Sequence, residues 1–266
     1  MDEEGWKAII YTGIKHDSDP DLFRRQLEQM KKTDEAGLKR LLSTGTTSPL
    51  IEAARLGRKE LVGILLECGA DTRAKDHEND TAVHIAAEYD MVEVLKTLLE
   101  YDGDAIKESG FYSQSPLQHA MRNSSWDAFT YILENHSPEC FSWNPVPFFL
   151  LSHPLHYASL WFPPANSKGE KYTSGEMVRE FLKKGCPNEY NGEHLVIHAA
   201  RTGDIDVLKN LVDHADPTKS DLRKTKEVLQ QELKGYRPEI LTYLAELDRI
   251  LNEETPKVER IISGTE

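Results

Sequence analysis

Apolar residues along this chain return in paired short clusters, separated by polar stretches, at a nearly even spacing. The first cluster of each pair closes on small residues: Leu50-Ile51 before Ala53-Ala54, Val83 and Ile85 before Ala86-Ala87, Leu117 before Ala120, Leu155 before Ala158, and a weaker copy ending in His198-Ala199-Ala200. The matching alanines 53, 86, 120, 158 and 199 lie 33, 34, 38 and 41 residues apart. A second cluster follows 12 residues after the alanine at Leu65-Leu66, Leu98-Leu99, Ile132-Leu133 and Leu211-Val212. Two short apolar stretches per period predict a pair of short helices, and a period in this range marks a solenoid. Neither helix can bury its apolar face alone, so each pair must stack on the next.

The residues flanking the clusters fit that reading. Ser48-Pro49, Thr81 and Ser115-Pro116 supply a hydroxyl that accepts a free amide at a helix start, and the prolines occupy a first-turn position whose N–H needs no partner. Paired alanines remove bulk where helices approach, and Gly57 and Gly203 permit the turn into the second helix.

The pattern running from Ser48 through Ala53-Ala54, Gly57, Leu61-Val62 and Leu65-Leu66 to Gly69-Ala70-Asp71 resembles the ankyrin repeat. The resemblance covers about residues 20 to 215 and implies an all-α solenoid of stacked helix-turn-helix repeats with short hairpin loops and divergent helical caps. The boundaries read as a cap over 1–45, about five repeats over 46–215, a second helical cap over 216–254 and a disordered tail over 255–266. In the first cap, Trp6 to Ile14 and Pro20 to Lys32 read as helices, and Asp34 to Leu42 takes the place of an outer helix because Leu41-Leu42 lies 12 residues before Ala53. Repeat four departs through insertions near 142–152, where Pro145 and Pro147 exclude a regular helix, and near 162–175. Loops of this kind carry function more often than the scaffold does. Beyond Asp216-Pro217, residues 221–234 and 238–251 read as longer amphipathic helices that close the array, or that offer Tyr236, Tyr243, Leu244, Leu247 and Leu251 as an oligomer contact.

Composition narrows the function. A formal charge of −13 argues against direct nucleic-acid binding, which draws its affinity from Lys and Arg on phosphates. No apolar run is long enough to span a membrane, no N-terminal leader is visible, and Cys68, Cys140 and Cys186 are isolated thiols suited to a reducing compartment, which points to cytoplasm or nucleus. The chain lacks the phosphate-loop, nucleophile-elbow and zinc-protease motifs, so no catalytic residue, cofactor or metal ligand is assigned. His84 and His156 fall at the fourth position of the capping motif, where the resemblance implies a hydrogen-bonding staple between repeats, and His119 and His198 sit one place further along.

The same resemblance implies that the variable residues lie at the hairpin tips and the exposed side of the inner helices. They are Arg55 and Leu56 in repeat one; His77, Glu78, Asp80, Glu88 and Tyr89 in repeat two; Phe111, Tyr112, Gln114, Arg122 and Asn123 in repeat three; Trp161 and Phe162 in repeat four; and Tyr190 and Arg201 in repeat five. Tyr, Trp, Phe and Arg are the types that dominate interface hot spots. The expectation is a non-enzymatic scaffold or regulatory subunit that binds another protein, as a short peptide or a folded surface. Two alternatives stand beside it: an acidic inhibitor that sequesters a transcription factor or other basic partner, and an enzyme whose pocket in the repeat-four insertion is lined by His153, His156 and Trp161.

Overall fold

The computed structural model describes residues 3–43, 48–123, 125–137, 173–190, 192–202, 204–232 and 238–252. The first helix of repeat four, most of both insertions and the tail from residue 255 lie outside them. Contacts divide the chain into two compact units.

The first unit carries α1 (Glu3–Lys15), α2 (Pro20–Thr33), α3 (Glu35–Ser43), α4 (Pro49–Arg55), α5 (Lys59–Glu67), α6 (Ala82–Glu88), α7 (Val92–Tyr101), α8 (Pro116–Arg122) and α9 (Trp126–Asn135). Inner helices α4, α6 and α8 pack in succession, as do outer helices α5, α7 and α9. The alanines at 53, 54, 86, 87 and 120 are all buried, where their small size lets one inner helix lie against the next. The expected starts form: Ser48 Oγ accepts the Leu50 N–H at 3.3 Å, and Gln118 reaches back to accept the Ser115 N–H at 2.6 Å. Gly57 turns the chain at φ +69°, and a side chain there would meet Met91 Sδ at 2.7 Å. In repeat two Asp90 takes the same turn at φ +60°, and its carboxylate accepts the Ala128 N–H at the start of α9 at 2.7 Å.

The N-terminal cap differs from expectation in one respect. It is α1 that packs on inner helix α4 and α2 that packs on outer helix α5, whereas α3 packs on α1, α2 and α4. The place beside the outer row therefore belongs to Pro20–Thr33, not to residues 34–42. The physical reason lies in α2 itself, whose buried Phe23, Leu27 and Met30 recur at helical spacing and whose Arg24 pairs with Glu67 at the end of α5.

The second unit holds α10 (Ser174–Lys183), a two-residue antiparallel pair β1 (Glu189–Tyr190) and β2 (Glu193–His194), α11 (Leu195–Thr202), α12 (Ile205–His214), α13 (Lys219–Glu232) and α14 (Pro238–Asn252). Val178, Val196, Leu208, Leu211, Leu229, Tyr243 and Leu247 share one core. Tyr243 and Leu247 are thus spent inside the unit, with Leu244 and Leu251 packed beside them, and are not presented as an oligomer contact; Tyr236 lies outside the described residues. Of the α14 leucines, Leu241 is the exposed one. No helix among the described residues is long and apolar enough to cross a membrane.

Candidate protein-binding surface

Stacking of α4, α6 and α8 sets their C-terminal ends in a row, and the segment leading into each inner helix forms the tips beside it. Those tips are tied to one another by polar contacts. Asp76 accepts the backbone N–H of Glu78 at 2.9 Å and of Asp80 at 3.0 Å, which closes the tip before α6. Asp80 then accepts the Phe111 N–H of the next tip at 2.8 Å, and Lys75 donates to the Ser109 carbonyl at 3.0 Å. Gly110 is required at this crossing, since a Cβ there would fall 2.0 Å from Asp80 Oδ1 and 2.8 Å from the His84 ring.

His84 acts as the staple. The Thr81 N–H donates to its Nδ1 at 3.3 Å, so the proton resides on Nε2, which donates to the Gln114 carbonyl of the next repeat at 3.2 Å. Burial pushes its pKa down to about 3, and the neutral ring is the form these two bonds require. In the second unit His194 makes the same pair of bonds, accepting the Val196 N–H at 3.2 Å and donating to the Ala215 carbonyl at 2.9 Å. The capping pattern offered no pointer to His194, because it stands before its helix and not within it.

On this frame the sequence-derived residues divide. Leu56 and Tyr89 at the ends of α4 and α6 are 36% and 47% exposed. His77 and Glu78 are exposed at the first tip, and Arg122 and Asn123 at the end of α8. Phe111 is half-buried with the Arg122 guanidinium 5.9 Å above its ring, a cation–π arrangement that orders both. Arg55 is half-buried and turned to Glu52 at 3.1 Å and Asp76 at 4.0 Å. Glu88 is half-buried near His119, and the Gln114 carbonyl receives His84.

Asp80 departs from its expected exposure: it is 1% exposed, and burial raises its pKa against the opposing Phe111 hydrogen bond. The reason is its place at the crossing of two tips, where the Phe111 N–H and His119 both face it. Arg201 is exposed in the second unit and paired with Glu193 at 2.9 Å. Trp161 and Phe162 lie outside the described residues, as do the side chains of Tyr112 and Tyr190; the insertion with His153 and His156 lies outside them too.

Residues 50–142 match the family model for ankyrin repeats in three copies. Among curated proteins, the chain is similar to a probable E3 ubiquitin-protein ligase of Oryza sativa subsp. japonica, 24% identical over 64% of this chain and 31% of that protein. It is also similar to an E3 ubiquitin-protein ligase of Arabidopsis thaliana, 32% identical over 35% of this chain and 18% of that protein. The chain thus spans less than a third of the length of these relatives. Among solved structures, the ankyrin repeat domain of Bcl-3, a member of the IkappaB protein family, superposes with a TM-score of 0.60 at 16% identity, over 83% of this chain and 97% of that domain. That likeness shows the fold.

Proposed function

For an ankyrin-repeat protein, whose repeats constitute a protein–protein interaction module, we propose that the partner is taken by the inner-helix ends and tips of repeats one to three. The carrying observation is the row of exposed or half-exposed Leu56, Tyr89, Phe111 and Arg122 on a frame of buried hydrogen bonds. An apolar, aromatic and cationic row on rigid elements loses little ordering entropy on binding, and such side chains are the usual anchors of an interface. Glu78 beside them favours a partner segment that combines an apolar anchor with a basic residue. The role is scaffolding or masking without catalysis, in cytoplasm or nucleus. The relatives named as E3 ubiquitin-protein ligases contribute a repeat platform to this reading and no ligase chemistry.

The test compares the full chain with a Leu56→Ala, Tyr89→Ala, Arg122→Ala variant of unchanged circular dichroism, each used to capture proteins from extract of its source cells. The reading expects a protein retained by the first and lost from the second. Equal retention by both would remove this surface from the function.

A further inference from the structure

Among the described residues, His119 is a buried polar side chain with an unsatisfied ring nitrogen that lies beside two carboxylates. In repeat three Gln118 accepts the helix-start N–H that His84 accepts in repeat two, so His119 has no capping duty and turns toward repeat two. It is 3% exposed, and its Nε2 has no hydrogen-bond partner among the described residues. That nitrogen nevertheless lies 3.3 Å from Asp80 Oδ1, while Nδ1 lies 3.6 Å from Glu88 Oε2. One donor atom each from Asp80, Glu88 and His119 fall within 4.8 Å of one another.

A nitrogen and an oxygen that face each other at this separation without hydrogen-bond alignment are placed as two ligands of one ion would be. Bonds of about 2.0–2.2 Å meeting at a tetrahedral angle set their donor atoms about 3.4 Å apart. Charge points the same way. Asp80 and Glu88 bring two carboxylates to His119, while Arg55 pairs with Glu52 and Asp76 and Lys75 with Ser109 and Glu108. Glu88 approaches the other ring nitrogen, Nδ1, so its side chain, 28% exposed, turns toward Nε2 and Asp80 to supply the third ligand, and it provides the route from solvent.

We propose that Asp80, Glu88 and His119 form a divalent-metal site of the zinc class, with water completing the shell. One imidazole with two carboxylates suits zinc and its first-row neighbours, whereas calcium and magnesium favour oxygen ligands alone. The ion clamps the tip and inner helix of repeat two to the inner helix of repeat three. Because the ligand Asp80 also holds the Phe111 N–H, the clamp stiffens the proposed binding row.

The experiment is calorimetric titration of the metal-stripped full chain with zinc chloride, alongside Glu88→Gln and His119→Asn, with cobalt(II) absorption as a second readout. Expected are one site lost or weakened at least about 10-fold in each variant, a cobalt spectrum without thiolate bands, and no competition from calcium or magnesium. Should His119→Asn fail to fold, Glu88→Gln, altered on a half-exposed side chain, decides. Zinc binding that is absent, unaffected by the variants, or thiolate-ligated overturns the proposal and leaves His119 as an imidazole held between two carboxylates. None of these outcomes depends on the partner surface.

Discussion

The two units meet the same requirement at different sequence positions. In the first, His84 lies inside α6 and joins the helix start to the carbonyl of Gln114; in the second, His194 lies before α11 and joins the helix start to the carbonyl of Ala215. Both are buried and both use Nδ1 as acceptor and Nε2 as donor. A buried amide and a buried carbonyl each need a partner, and a neutral imidazole serves both at once. What recurs is the bridge and not the motif position. The tips differ more. The crossing at Gly110 is crowded by Asp80 and His84, whereas the β1–β2 tip at Gly192 has open space around it.

That difference gives the largest expected effect. Gly110→Ala forces a Cβ onto Asp80 and His84 and is expected to cost about 3 kcal/mol, whereas Gly192→Ala, strained only by its φ of +76°, costs about 1 kcal/mol. Urea unfolding with hydrogen exchange to locate the change checks both. Equal costs would show that the first crossing yields and that its close packing is not a constraint.

Next come the two bridges. His84→Ala and His194→Ala are each expected to cost about 2 kcal/mol by orphaning a buried donor and acceptor. Exchange should quicken around Thr81 and Gln114 in the first variant, and around Val196 and Ala215 in the second. A loss confined to one of them would break the equivalence of the bridges.

A smaller contrast separates the thiols. Burial pushes Cys186 up to about 12, while half-buried Cys68 is raised less. Because folding raises this pKa, the unfolded thiol ionises first, so Cys186 leaves native stability independent of pH below about 9 and lowers it progressively as pH climbs from about 9 toward 12. At mildly alkaline pH, alkylation followed by mass spectrometry should therefore label native Cys68 well before Cys186. Equal labelling would show that the second unit opens locally.

Much of the repeat frame was legible because it rests on local chemistry. Ser48-Pro49 and Ser115-Pro116 begin helices where the pattern put them, and the alanine pairs are buried where helices stack. The outer place of α2 was missed because counting back from Ala53 weighs spacing alone, while the Phe23, Leu27 and Met30 stripe decides which helix docks on α5. Asp80 was misplaced because a tip residue is polar whether it faces water or a neighbouring tip. The one-place offset of His119 from the capping position was visible, but its meaning required knowing that Gln118 had taken the capping bond. Leu56, Tyr89 and Arg122 were legible as surface residues since their positions follow from the repeat itself.

The most direct test of the binding row uses two tyrosines of similar exposure on different helix rows. Tyr89, 47% exposed, ends inner helix α6, and Tyr101, 57% exposed, ends outer helix α7. A photo-crosslinking amino acid placed at each in turn, followed by irradiation in source cells and mass spectrometry, is expected to give a discrete partner adduct from position 89 and none from position 101. An adduct from position 101 alone, or the same adduct from both, would contradict recognition through the inner-helix ends.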